Sequence, residues 1–151
     1  TGDESPLYYQ AWVEKNIAEV TKRTNGEVGY LHIPDMGRPG LNQFTKLYFP
    51  QIRKKALIVD VRGNGGGFVS PLVIERLRRA FVMIEVARNG MPQPDPAQSF
   101  TGPMVTLIDE FSASDGDGTR NLICARTLLA LKLVAPSISI SVTRARVARI
   151  T

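Results

Sequence analysis

The chain has 151 residues, 43% of them apolar and 22% charged, with a formal net charge of +5. That length fits one domain with a real core, and the composition belongs to a soluble globular chain rather than a disordered or membrane-spanning one. No apolar run is long enough for a transmembrane helix, and Thr1-Gly-Asp-Glu-Ser-Pro6 lacks the basic and apolar regions of a secretory signal. The opening also lacks a methionine, so the sequence reads as an internal part of a longer chain.

The charge is unevenly placed, and its placement argues against a nucleic-acid partner. Residues 1–117 carry 13 Lys and Arg against 14 Asp and Glu, whereas residues 118–151 carry six basic residues, no acid and no aromatic. The basicity therefore belongs to the tail, and residues 118–151 read as a divergent segment, either a different structural unit or a sequence that has left its original reading frame. Cys124 is the one cysteine and His32 the one histidine, 92 positions apart, so no disulfide and no metal-ligand set is expected.

In chain order, Ser5-Pro6 predicts the start of a helix over about residues 6–24, with Ser5 as its cap, Tyr8, Trp12, Ile17 and Val20 at helical spacing, and Asn25-Gly26 as its stop. Val28-Gly-Tyr-Leu-His-Ile-Pro34 predicts a strand closed by proline. A helix follows from Leu41 to about Gln51 over Phe44, Leu47 and Tyr48, and then Ala56-Leu-Ile-Val-Asp-Val61 predicts a buried parallel strand. Ser70-Pro71 predicts the cap of a third helix, with Val73, Leu77 and Phe81 inward and Glu75 paired to Arg79. Residues 89–98 read as a polar loop, Glu85 as a solvated loop acid, and Met104–Ile108 as a strand leading towards Ser114. Strands alternating with helices imply an α/β fold with a mostly parallel, layered sheet. Ligands in such sheets gather beyond the carboxyl ends of the strands.

Two glycine-bearing turns fall at that edge: Arg62-Gly-Asn-Gly-Gly-Gly67, and Ser112-Ala-Ser-Asp-Gly116. If the strands before them are neighbours, the turns face each other. The glycine run fits a phosphate cradle, an oxyanion hole or a tight turn, but it lacks the Gly-Lys-Ser/Thr ending and the ribose-binding acid of nucleotide sites. Ser114, at a strand-to-helix junction, fits a nucleophile beside unpaired helix-start amides, or simply a helix cap, with Ser112 competing for either role. Asp115 and Asp117 fit helix-start acids.

Three stretches in this order, Gly29-Tyr-Leu-His-Ile-Pro-Asp-Met36, Leu57-Ile-Val-Asp-Val-Arg-Gly-Asn-Gly-Gly-Gly-Phe-Val-Ser70 and Ser112-Ala-Ser-Asp-Gly-Asp117, resemble the catalytic core of tricorn-type proteases. These belong to the wider tail-specific (C-terminal-processing) serine peptidase family. The resemblance covers about residues 7–117, and residues 1–117 are accordingly taken as a partial peptidase core. It implies a truncated α/β domain similar to the Clp protease and crotonase folds, with Ser114 as the nucleophile and the backbone N–H groups of Gly67 and Asp115 as the oxyanion hole. The implied reaction is acyl transfer on a peptide substrate, without a cofactor or metal, in a cytoplasmic homo-oligomer that engages neither nucleic acid nor membrane.

The general base is missing from the matching stretches. In the family a histidine comes from an upstream helical region and a glutamate from further downstream. His32 lies on a strand the family does not use for this purpose and reads as a core or sheet-edge residue that orders a loop. Lys132, 18 residues past Ser114, does not match the lysine of the family's other branch. Two further readings therefore stand beside the peptidase: a catalytically silent peptide-binding module, and a crotonase-like acyl-CoA enzyme, which needs no serine. P1 preference has no motif to carry it.

Overall fold

The computed structural model describes residues 4–109, 111 and 112. Three parallel strands form its main sheet in the order β1 (Val28–His32), β2 (Ala56–Asp60), β5 (Met104–Leu107). In register, Leu31 pairs with Val59 and His32 with Asp60, while Val59 pairs with Thr106 and Asp60 with Leu107. Helices α1 (Ser5–Arg23), α2 (Arg38–Tyr48) and α3 (Ser70–Arg78) surround it, and a short hairpin, β3 (Met83–Glu85) with β4 (Gln93–Asp95), stands apart from the main sheet.

Period-two alternation gives the sheet two unlike faces. Leu31, Leu57, Val59 and Met104 point one way, into an apolar cluster completed by Phe44 and Tyr48 of α2 and by Val73 and Leu77 of α3. Both crossover helices thus lie on one face, as right-handed connections between successive neighbouring strands require. Each such fully buried aliphatic side chain contributes about 1.5–3 kcal/mol. Tyr30, His32 and Asp60 point the other way, towards α1, and all three are buried. That face is polar where the other is oily.

Among the described residues strand β1 is an edge, and the outward peptide groups of Tyr30 are satisfied by a side chain rather than by another strand. Gln51, in the 3₁₀ turn Phe49–Gln51 after α2, accepts from the Tyr30 N–H at 2.7 Å and donates to the Tyr30 carbonyl at 2.9 Å.

The alternating α/β reading holds, and so do the parallel strands and the Glu75–Arg79 pair at 2.8 Å. Several local expectations need correction. Both Ser-Pro pairs occupy the first two helical positions, so Glu4 and Val69 are the flanking residues and neither serine caps. Pro tolerates those positions because their N–H groups have no helical partner. Tyr8 is exposed, and Val13 is the α1 residue that is fully buried. The third helix ends before Phe81, which is 47% exposed, because Arg79 turns to extended backbone at ψ 117°. Beyond it, Val82-Met-Ile-Glu-Val86 is a β-rich run that overrides the helical spacing. Glu85 and residues 93–95, read as loop, lie in the hairpin.

Candidate active site

The loop Arg62–Gly67 leaves β2 at the carboxyl edge of the sheet, and its shape follows from buried polar groups. Asp60, fully buried, accepts from the Arg62 backbone N–H at 3.0 Å, from Arg62 Nε at 2.9 Å, from Arg62 Nη2 at 2.6 Å and from the Tyr30 hydroxyl at 2.6 Å. The spacing Asp-x-Arg folds the arginine back over its own strand end, where its guanidinium also sits 5.6 Å from the centre of the Trp12 ring. A buried carboxylate is tolerated only when so paired. Burial, the hydrogen bond to Asp60 and the Asp60 charge together push the Tyr30 phenol above its ordinary range. Asp60→Ala is expected to cost about 3 kcal/mol, the lower end for a broken buried pair because 35% of the Arg62 side chain stays in water. Urea unfolding of the purified chain checks it.

His32 holds the next peptide. Its Nε2 lies 3.0 Å from the Arg62 carbonyl, which can only accept, so Nε2 carries the proton and Nδ1 accepts from the Tyr9 hydroxyl at 2.9 Å. The Trp12 ring meets it edge-on at 4.9 Å. Burial lowers the His32 pKa below its ordinary 6.5, the Arg62 charge adding to that, against raising contributions from the Arg62 carbonyl, Asp60 and Asp109. Burial, with Asp35 and Asp60 nearby, pushes the Tyr9 phenol up to about 12. A depressed histidine pKa means the unfolded chain binds more protons between the folded value and 6.5. The His32 contribution to stability should therefore be level above pH 6.5 and fall as pH drops through that window. His32→Gln should abolish that slope, as read from urea midpoints across pH.

Asn64, also buried, fixes the middle of the loop: its amide donates to the Ile33 carbonyl at 3.0 Å and accepts from the Gly66 N–H at 2.9 Å. The Gly66 carbonyl accepts from Met36 N–H at 2.9 Å, and the Met36 carbonyl accepts from the N–H groups of Phe68 and Val69 at 2.7 and 2.9 Å. Gly67 forms a parallel bridge with Met36 at φ +150°, and a Cβ there would lie 2.2 Å from the Met36 carbonyl oxygen. That close approach is why this position is glycine. The Gly67 N–H itself has no hydrogen-bond partner among the described residues. The glycine run is thus a braced loop that presents a backbone donor.

Because β2 and β5 are neighbours, the segments leaving them meet as far as Ser112, the last described residue. The Gly63 N–H donates to Asp109 Oδ1 at 3.0 Å, and the Ser112 hydroxyl lies 2.8 Å from the Val61 carbonyl. Ser112 also lies 3.0 Å from Asp109 Oδ1 and accepts from the Asp109 N–H at 3.2 Å. Its single proton is directed inward, to the Val61 carbonyl or to Asp109. Ser114 and Asp115 lie outside the described residues, as does the whole of residues 118–151. Among the described residues, no three His, Cys, Asp or Glu side chains form a group that could hold a metal ion, and no helix is long and apolar enough to cross a membrane.

Sequence reasoning located Gly67 but gave no role to Asp60, Asn64 or Asp109. A local signal existed for each: an Asx residue two positions before a backbone N–H that it accepts from, namely Arg62, Gly66 and Phe111.

The class that this arrangement defines is a layered α/β fold with a mostly parallel sheet and a braced glycine loop at the sheet's carboxyl edge. The model of Peptidase family S41 matches residues 27–126, and the chain belongs to that family. It is 48% identical over 115 residues to the tricorn protease of Thermoplasma volcanium, covering 76% of this chain and 11% of that protein. Tricorn protease homolog 1 of Streptomyces coelicolor is 43% identical over the same share of this chain and 11% of its own length. Among solved structures, the crystal structure of the tricorn protease superposes with a TM-score of 0.72 at 42% identity, over 79% of this chain and 12% of that one. The photosystem II D1 C-terminal processing protease shares the fold at 17% identity, with a TM-score of 0.50 over 65% of this chain and 28% of its own. The chain spans about a tenth of the length of the tricorn relatives it matches.

Proposed function

We propose that this chain carries the acylation half of a serine peptidase site. Ser114 Oγ attacks a peptide carbonyl, its proton passes to a base outside this chain, and the N–H groups of Gly67 and Asp115 hold the tetrahedral oxyanion. Collapse of that intermediate breaks the C–N bond, the amine leaves with the proton, and water later releases the acyl group from Ser114. The observation that supports this most is the Gly67 N–H, held without a partner by a loop that buried side chains brace and that is hydrogen-bonded to the turn leading to Ser114.

The peptide substrate, a homo-oligomeric state, a cytoplasmic location and the division into a core of residues 1–117 and a basic tail are parts of the same proposal. Sequencing the locus tests the tail: a family-like continuation in another frame supports a shifted frame, and none in any frame refutes it.

His32 favours the silent-binding reading for the 151-residue chain by itself. It is the chain's one histidine, and both its ring nitrogens are engaged. The isolated chain is therefore expected to hydrolyse peptides negligibly. Turnover by the purified chain that disappears in Ser114→Ala would overturn that expectation. In the intact gene product a fluorophosphonate should label Ser114, as read by mass spectrometry of tryptic peptides; labelling at Ser112 would refute the assignment.

A further inference from the structure

Hydrogen bonding between β2 and β5 carries on past the last paired residues with the Val61 N–H to the Leu107 carbonyl at 2.9 Å, yet the groups that must cooperate lie further along both chains. We propose that Asp109, with Ser112, is a positioning clamp that holds the oxyanion loop and the nucleophile-bearing turn in register beyond the end of the sheet. The proposal rests on Ser114 as nucleophile and Gly67 as oxyanion donor.

The geometry supplies the argument. Asp109 Oδ1 accepts from the Gly63 N–H at 3.0 Å and the Phe111 N–H at 3.1 Å, and lies 3.0 Å from the Ser112 hydroxyl, whose one proton it shares with the Val61 carbonyl. One of these belongs to the loop after β2 and two to the turn after β5, so a single oxygen joins the two segments. The Ser112 hydroxyl, 2.8 Å from the Val61 carbonyl, makes a second link, and the Ser112 N–H closes the turn on the Asp109 carbonyl at 3.3 Å. All of these contacts fall on one oxygen, Oδ1, so what the position requires is an accepting oxygen, which an ionised carboxylate supplies and an amide oxygen can also supply. Burial alone would raise the Asp109 carboxyl, but the Gly63 amide, the Ser112 hydroxyl and the Phe111 and Ser112 amides outweigh it and hold it below the ordinary carboxylate range. The clamp is therefore charged throughout the neutral range. From Gly63 the chain runs four residues to Gly67, and from Ser112 two to Ser114. A displacement of about 1 Å between such groups is enough to cost roughly a hundredfold in rate.

The test uses the intact gene product, with peptide hydrolysis and the rate of fluorophosphonate labelling at Ser114 as readouts. Asp109→Ala should lower kcat and the labelling rate about 10- to 100-fold while KM stays within about threefold. Asp109→Asn, which keeps an accepting oxygen in place, should recover most of the loss. Ser112→Ala, which removes the Val61 link and the hydroxyl's contacts with Asp109 but leaves the Gly63 N–H on Asp109, should slow labelling several-fold. Wild-type labelling by folded Asp109→Ala, a loss confined to KM, or an Asn variant as poor as the Ala variant would each overturn the clamp. If Asp109→Ala does not fold, Asp109→Asn and Ser112→Ala decide, and wild-type rates in both overturn it. Ser114→Ala separates the two levels. Undiminished hydrolysis in that variant refutes the nucleophile and the clamp with it, whereas a silent Ser114→Ala beside an unimpaired Asp109→Ala refutes the clamp alone.

Discussion

Gly67→Ala is expected to damage the loop and the reaction together. The added Cβ would meet the Met36 carbonyl at 2.2 Å from oxygen and 2.4 Å from carbon, backbone atoms with no rotamer to escape into. That carbonyl is itself held by the N–H groups of Phe68 and Val69, so relief requires breaking the bridge. Strain at φ +150° adds to the overlap, and the two together should cost about 3 kcal/mol, read from urea unfolding of the chain. In the intact gene product kcat should fall about 10²- to 10³-fold, the usual cost of one lost oxyanion donor. Gly65→Ala is the control. Nothing lies within 4 Å of a Cβ placed there, so its stability should stay within about 0.5 kcal/mol of the parent.

Ser114→Ala should lower kcat in the intact gene product at least about a thousandfold and abolish fluorophosphonate labelling, because the remaining amides and binding contacts still act without the nucleophile. Thermal stability should change little. The companion variant Ser112→Ala should still label at Ser114, since the Ser112 hydroxyl faces the Val61 carbonyl and Asp109, which share its one proton. Retained labelling in Ser114→Ala would place the nucleophile elsewhere.

The main sheet was legible in the sequence because its strands are unambiguous: Ala56-Leu-Ile-Val-Asp-Val61 is too short for a helix and apolar enough to be buried on both sides. Helix α2 was legible through Phe44, Leu47 and Tyr48, one stripe at helical spacing. The hairpin was not, because Phe81 continues the spacing of Val73 and Leu77, and only tertiary placement decides that the chain turns extended at Arg79. Inside α1 the aromatic spacing drew attention to Tyr8, while the shorter Val13 occupies the buried position.

Of the candidate site, the glycine loop and its neighbouring turn could be placed from strand order alone. Its bracing could not. Asp60, Asn64 and Asp109 act through bonds to groups as many as 46 residues away, and periodicity carries no trace of such pairs. His32 shows the converse. Its residue type suggests a proton acceptor, and only the Tyr9 hydroxyl and Arg62 carbonyl on either side reveal a strut.

Helix α1 ends at Arg23, before the stretch of residues 27–126 that matches the family model. Yet Tyr9 on that helix reaches the Arg62 peptide through His32 in two hydrogen bonds, and Asn16 donates to the Tyr30 hydroxyl that in turn donates to Asp60. A boundary drawn by family likeness therefore cuts through a working unit. Trimmed to residue 27, the chain would keep every motif and lose the wall behind them, leaving His32 and Tyr30 open to water on the side that Tyr9 and Asn16 now close.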